Sequence, residues 1–580
     1  MSWYPPKKLE TSVSHDAGGW ENGSGGPEEA MTTSHATKER PGRLEKPAAR
    51  RCRRLVGALV FALLAAVTLL VYPLHNLSGG LSRDGAIYLY SGQQLLEGVP
   101  PYVSIFDHKG PLAPLISGLG VFVSNLLGTS QVITVRVVFL ICGSLAIAAV
   151  YFLSRRLLQS GRGALFSTLT FIGFFSFARY AVAEPEAKTP MLLFQTLALL
   201  FTVQKRWFLA GLCGSLTALI WQPMAVFALI TVLLALARPG EAGKRSALLR
   251  AGGGAATPMA AVAVCFYLWG ALSELVNGAI LFNLRYLDQE QLSVVGQLLN
   301  ATEAIFVGYS SVLVPVVIAS MLAIVVVGFV AVIRLYVVRL HRIVANGAPA
   351  KELLDSRFAP LLLTLPFPVA WSILDFQGYP DFYVFLPYVA VGFGGSLDFV
   401  IRRLSRDYAL SPDRARSTLS IGFCAALAAI AVVSSLIVVS PAQRASSLSI
   451  QEQSLSPTDL EDQRQAAREI EERYGEDARI VSIGVPQLLV LLHETNPNPY
   501  AFVIRGIDKK IAETTPGGFD GWLQELQSYD PDVIALGPTT GDYEPMLLDW
   551  LNAHYEHERI GPWTLYVAPE EERDRVTPAG

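Results

Sequence analysis

The densest run of chemically capable side chains lies between positions 83 and 111. It reads Arg83-Asp84-Gly85-Ala86, then Tyr88 and Tyr90, Glu97-Gly98, Pro101-Tyr102, and Phe106-Asp107-His108-Lys109-Gly110-Pro111. A carboxylate such as Asp84 can take the proton of an attacking hydroxyl. Aspartate is equally a favoured helix N-cap, and the pattern over 86–96 suggests a helix, so spacing leaves both roles open. Asp107-His108 sets two metal-ligand types side by side without a third, short of what a metal site needs. A second polar cluster, Arg179-Tyr180 with Glu184-Pro185-Glu186-Ala187-Lys188, interrupts an apolar stretch. Two carboxylates and two cations beside a membrane must be paired or solvated. Trp221-Gln222-Pro223 breaks a third apolar run.

The elements that position these clusters are membrane segments. Half of the 580 residues are apolar, and they come in long blocks. The stretch 55–74 carries no charge over about twenty residues, enough helix to cross a hydrocarbon core of about 30 Å. Arg50, Arg51, Arg53 and Arg54 precede it, so it reads as a signal anchor with a cytoplasmic N-terminus. Residues 1–54 are poor in aliphatic runs and are expected to form a disordered cytoplasmic tail. Further blocks follow at 131–153, 163–179, 187–203, 207–220, 222–237, 250–270, 308–333, 358–374, 382–400 and 417–440.

One more block, 111–128, decides the topology. If it crossed, Arg155, Arg156 and Arg162 would face outward and every later loop would invert. If it lies on the surface or dips in and out, all the strongly basic loops face the cytoplasm, and the positive-inside rule chooses this arrangement, with about eleven spans. The few basic residues then left on the outer side are Arg83, Lys109, Arg136, Arg179, Lys188 and Arg285. They are the natural candidates for meeting an anionic ligand, together with caps and headgroup contacts.

Beyond position 440 the composition becomes soluble and acidic, with 25 Asp plus Glu against 11 Lys plus Arg over 441–580. Segments 479–484, 531–537 and 563–567 read as strands and 460–474 and 521–528 as helices, a small extracytoplasmic α/β domain. Gly484 follows a strand, but no GxGxxG is present to mark a nucleotide site. The five cysteines, Cys52, Cys142, Cys213, Cys265 and Cys424, lie in or beside apolar segments and offer neither a disulfide framework nor a zinc site.

The Asp just after the first span, Gln-Leu-Leu-Glu-Gly-Val-Pro-Pro-Tyr at 94–102 and Phe-Asp-His-Lys-Gly-Pro-Leu at 106–112 resemble membrane glycosyltransferases of the dolichyl-phosphate-mannose mannosyltransferase type, with the GT-C fold. Thr-Val-Arg-Val at 134–137, the Glu184/Glu186 region and the Gln-Pro break at 222–223 continue the pattern over roughly 55–440. The segment Asp-Phe-Gln-Gly-Tyr-Pro-Asp-Phe-Tyr at 375–383 looks most like haloarchaeal members.

The resemblance implies a polytopic helical protein that moves a sugar, mannose in the family, from a polyprenyl-phosphate donor to a glycan or glycoprotein acceptor on the outer face. Asp84 would be the base and Lys109 a contact of the donor phosphate. Arg83, Asp107, Arg179, Glu184, Glu186, Lys188 and Arg285 complete the expected substrate site. No cofactor or metal is required, and no nucleic acid is expected as a partner. The sequence departs from the family at two places: Gly110 stands where the Lys-Pro-Pro element has its first Pro, and Trp221 stands where a basic residue often precedes Gln-Pro. A secondary transporter would instead show related halves and midplane charges, whereas these charges collect at one surface. As a mere anchor for the acidic domain, about eleven spans are excessive.

Overall fold

The computed structural model describes residues 77–174, 184–238, 243–286, 293–309, 356–374, 379–407, 459–504 and 506–569, with scattered positions besides. The N-terminal tail, the block 417–440, nearly all of 308–333, Arg179, Cys52 and Cys424 lie outside the described residues. All contacts below fall within the compact unit Ala58–Gly580.

The helices that build the site are α1 (Arg83–Leu96), α2 (Leu112–Leu127), α3 (Gln131–Leu158), α4 (Gly161–Ile172), α5 (Lys188–Val203), α6 (Trp207–Ala218), α7 (Val226–Ala237), α8 (Lys244–Leu268) and α9 (Leu386–Asp407). Among the described residues, three helices are long and apolar enough to cross a membrane: Gln131–Leu158, Lys244–Leu268 and Tyr383–Arg402. Shorter apolar helices include Leu112–Leu127, Lys188–Val203 and Ala359–Leu374. α3 packs along α5, and α6 lies against α8. The buried contacts are mostly apolar, as where Ile147, Val150 and Phe171 meet Leu192 and Tyr383.

The charged ends of these helices separate into two faces. Near the start of α3 the fully buried Arg136 guanidinium donates to the carbonyls of Leu77 at 2.7 Å and Gly80 at 3.1 Å. Arg136 is thus a clamp on the chain just after the first apolar block. Towards the far end of this 28-residue helix, about 30 Å from Arg136 at the usual rise, stand Arg155 and Arg156, where cations complement the helix dipole. Arg162 meets Asp398 there at 3.5 Å, Arg402 pairs with the same carboxylate, and Arg238 donates to the Ser356 carbonyl at 2.9 Å.

The C-terminal region contains a four-stranded sheet in the order β1-β2-β4-β3, from β1 (Ile480–Ile483), β2 (Val533–Leu536), β3 (Glu556–Ile560) and β4 (Trp563–Val567). β1 and β2 are parallel, with Ile480 opposite Val533, and the other pairings are antiparallel. Helix α10 (Leu460–Tyr474) matches the predicted 460–474, and its start is fixed by a capping box of Asp459 and Asp462. The predicted 521–528 helix extends over Gly518–Tyr529. β3 was not predicted: Glu-His-Glu-Arg-Ile has no apolar alternation, and its first four side chains are wholly or partly exposed.

The sheet region and the first loop share one core. Leu81, Ile87, Leu89, Tyr90, Phe106 and Phe282 pack with Val481, Leu489, Phe502 and Ile507. Gln463 brackets Leu81, accepting from its N–H at 2.7 Å and donating to its carbonyl at 3.1 Å. Both flanks of α2 reach this region, since the Phe106 N–H donates to the Pro499 carbonyl at 2.7 Å and Arg464 donates to the Ser130 hydroxyl at 2.9 Å. Both flanks of α2 are therefore tied to the C-terminal region.

Candidate active site

α1 begins earlier than its apolar pattern suggests, and its cap is Ser82. The Ser82 hydroxyl accepts from the Gly85 N–H at 3.0 Å. Asp84, the second residue of the helix, is left with its carboxylate free of the capping role. That carboxylate meets the Lys109 ammonium at 2.9 Å and the Arg83 guanidinium at 3.6 Å. The Lys109 charge, helped by Arg83, holds the Asp84 carboxyl well below the usual carboxylate range.

Lys109 stands on a turn held from several sides. The Asp107 carboxylate accepts from the N–H groups of His108 at 2.7 Å and Lys109 at 3.2 Å, and the Tyr102 hydroxyl donates to the Lys109 carbonyl at 2.7 Å. Gln222 and Asn283 both donate to the His108 carbonyl, at 3.0 and 2.8 Å. The Gly110 and Leu112 N–H groups donate to the carbonyls of Ile220 and Leu219, each at 3.1 Å. A Cβ at Gly110 would fall 2.0 Å from the Leu219 oxygen, which accounts for glycine at this position. Burial opposes the charge on Lys109, but Asp84, Asp107 and Glu186 around it outweigh that cost and raise its pKa.

A cavity of about 340 Å³ opens on this turn, lined by His108, Lys109, Glu186 and Lys188, by the apolar Trp221, Ile280, Leu284 and Trp371, and by Asp381 among others. Lys188, at the start of α5, pairs with the buried Asp381. Its ammonium also lies over the Trp221 ring, 4.7 Å from the centroid. Trp221 thus presents an aromatic face that holds the lysine at the head of α5. Glu186 accepts from the Lys188 N–H at 3.1 Å, and burial raises its pKa against the pull of Lys109 and Lys188. Burial likewise lowers the His108 pKa, leaving a neutral imidazole at pH 7.

Of the expected substrate-site residues, Lys109, Glu186 and Lys188 line the cavity, and Asp84 reaches it through Lys109. Arg83 lies against Asp84 and does not line it. The Asp107 carboxylate builds the turn from the inside. Arg285 is exposed at the end of Asn283–Arg285, outside the lining. Glu184 lies two residues before the lining residue Glu186, buried against Ser82. Among the described residues, no group of three His, Cys, Asp or Glu side chains could hold a metal ion.

No family model matches the sequence, and no curated protein does. Solved structures do. ArnT from Cupriavidus metallidurans in the apo state aligns at 13% identity over 89% of this chain and 98% of that one, with a TM-score of 0.55. The same protein bound to undecaprenyl phosphate aligns at 13% identity over 88% and 98%, with a TM-score of 0.50. The oligosaccharyltransferase AglB from Archaeoglobus fulgidus, in complex with an inhibitory peptide and a dolichol-phosphate, gives 13% identity over 92% and 75% and a TM-score of 0.45. The fold is the GT-C fold.

On this GT-C scaffold the candidate residues come from separate stretches of chain: Asp84 on α1, Lys109 on the turn before α2, Glu186 and Lys188 at the head of α5, and Asp381 ahead of α9. Sequence reasoning missed Asp381, Trp371 and Asn283. Asp381 had a usable signal, a lone carboxylate at the entrance of an apolar helix, where an unpaired charge is costly. Asn283 and Trp371 carried none, because an amide or an indole near a membrane segment is unremarkable until its neighbours are known.

Proposed function

We propose that this chain is a membrane glycosyltransferase that moves a sugar from a polyprenyl-phosphate donor to a glycan or protein acceptor. The observation that carries the reading is the convergence of Lys109 and Lys188 on one cavity, with the Asp84 carboxylate 2.9 Å from the first of them. Two cations suit a phosphate, and a cavity of about 340 Å³ suits a phosphorylated sugar while the lipid tail runs outside. The apolar side chains of Trp221, Ile280 and Leu284 offer the tail's first carbons a place. The ArnT fold neighbour solved with undecaprenyl phosphate supports a lipid-phosphate ligand. Mannose as the sugar and dolichol as the carrier rest on the sequence resemblance.

In the reaction, the bond between the sugar's anomeric carbon and the phosphate oxygen breaks, its electron pair passing to the phosphate. The acceptor oxygen bonds to the same carbon from the opposite side, inverting it, and gives its proton to Asp84. Lys109 and Lys188 gain importance as phosphate charge develops. Lys109 has a second effect. A bound phosphate competes with Asp84 for the ammonium, so donor binding loosens the pair that depresses the Asp84 pKa and raises its basicity beside the acceptor. The test is transfer of radiolabelled mannose from synthetic polyprenyl-phosphate-mannose to acceptors extracted from host cells lacking the protein. Release of polyprenyl phosphate dependent on the protein is the expected result, and no release with any acceptor fraction overturns the reading.

The proposal includes orientation: the face bearing the cavity and the sheet lies outside, and the face with Arg155, Arg156 and Arg162 lies in the cytoplasm. A single cysteine at the exposed Asn552 should react with a membrane-impermeant maleimide in intact cells, and one at the exposed Arg156 only after lysis. The reverse pattern would invert the whole arrangement.

A further inference from the structure

Glu184 is a buried carboxyl that plays no part in the reaction just described. It is 3% exposed, in the segment between α4 and α5, and its Oε2 accepts a hydrogen bond from the Ser82 hydroxyl. That hydroxyl is the cap of α1, accepting from the Gly85 N–H at 3.0 Å. The contact is close-packed as well as polar: a Cβ on Gly85 would lie 3.0 Å from Pro185 Cδ and 3.1 Å from Glu184 Oε2. Asp84 sits in the turn between Ser82 and Gly85, so the 184–185 segment grips the helix turn that carries the proposed base. We infer that Glu184 is a positioning residue, which through Ser82 sets the first turn of α1 and with it the placement of Asp84 against Lys109. This inference rests on the transferase reading for its kinetic consequence only.

The carboxyl's surroundings set a pH dependence. Glu186 from its own segment and Asp84 from α1 disfavour its charge, Arg136 from α3 and the Ser82 hydroxyl favour it, and burial outweighs all of these. Its pKa is pushed up to about 8, so at neutral pH it is the uncharged acid. Above that pH an anion appears beside Asp84 and Glu186, where it repels an anionic donor. Because the folded pKa exceeds the unfolded one, the group's stabilising contribution is full in acid and is lost as pH rises towards 8.

The experiment compares wild type with Glu184→Gln, Glu184→Ala and Ser82→Ala, with mannose transfer measured between pH 6 and 9.5 and amide exchange measured over α1. Glutamine keeps the acceptor oxygen and cannot ionise. It should hold the wild-type rate at pH 7 and abolish the alkaline fall near pH 8. Glu184→Ala and Ser82→Ala should lower kcat on the order of 10²-fold with little change in donor KM, as a small misplacement of a reacting group does. They should also speed exchange at the start of α1. An alkaline fall that persists in Glu184→Gln, or unaltered exchange at the start of α1 in both alanine variants, overturns the inference. A wild type without transferase activity would sink the functional reading alone, because the exchange data still judge the grip of Glu184 on α1.

Discussion

Replacing Asp84 by Asn is expected to lower transfer by about 10²–10⁴-fold, the range of general-base contributions, while leaving the amount of folded protein unchanged. The structure sharpens this expectation by separating two roles that the sequence left open. A helix-capping Asp84 would have made the substitution a matter of stability. Ser82 caps α1 instead, and the Asp84 carboxylate faces Lys109. Asparagine keeps the shape and can still accept from Lys109, but it cannot take a proton. The loss should therefore fall on kcat, with donor KM little changed. Measuring both with purified protein checks this. Near-normal kcat in Asp84→Asn would leave the Asp84–Lys109 pair as an ion pair holding the turn and nothing more. The pH profile adds a control: because Lys109 keeps Asp84 ionised far into acid, the wild-type rate should show no acid limb from Asp84 in the free protein between pH 5 and 7.

How far the sequence revealed this arrangement depends on the kind of signal each residue carries. Apolar blocks are long-range averages, so the helices over 131–158 and 188–203 were legible, as was the opposition of basic and polar ends. The segment 83–111 was recognisable as the candidate site because so many polar residues between spans need a reason. Its internal geometry was not legible. Asp107 has the same residue type as Asp84 and lies as near the cavity in sequence as Lys109 does, yet its carboxylate accepts from two backbone N–H groups and never reaches the cavity. Only the turn's conformation tells the two carboxylates apart. Asp381 joins Lys188 across 193 positions of chain, a pairing no local pattern encodes. The same limit hid the shared core of the first loop and the sheet, whose apolar residues read as two separate surfaces until Phe106 and Leu489 were found in one cluster. The two departures from the pattern that the sequence resembles show the converse. Gly110 and Trp221 each have a physical explanation in their neighbours, the Leu219 carbonyl and the Lys188 ammonium.

Lys109→Ala is expected to change two kinetic quantities together, and this distinguishes a donor-phosphate contact from a residue that merely supports Asp84. Without the ammonium, the ground-state complex loses one of the cavity's two lysines, so the donor concentration for half-maximal rate rises. Since negative charge on the phosphate grows as the sugar leaves, the same cation matters more in the transition state, and kcat falls as well. A charge-assisted contact of this kind contributes roughly 1.5–3 kcal/mol, about 10- to 10²-fold. Lys109→Arg should recover part of the loss, because charge returns but a planar guanidinium replaces a compact ammonium on a turn already clasped by Gln222, Asn283 and Tyr102. Were Lys109 only a prop for Asp84, the alanine variant would lower kcat and leave the donor dependence alone. Its partner would also be freed, so an acid limb from an Asp84 carboxyl of higher pKa would enter the pH profile. Initial rates across donor concentrations at several pH values separate the two cases. An unchanged donor dependence would transfer the phosphate to Lys188, whose pairing with Asp381 and seat over Trp221 make it the remaining lysine on the cavity wall.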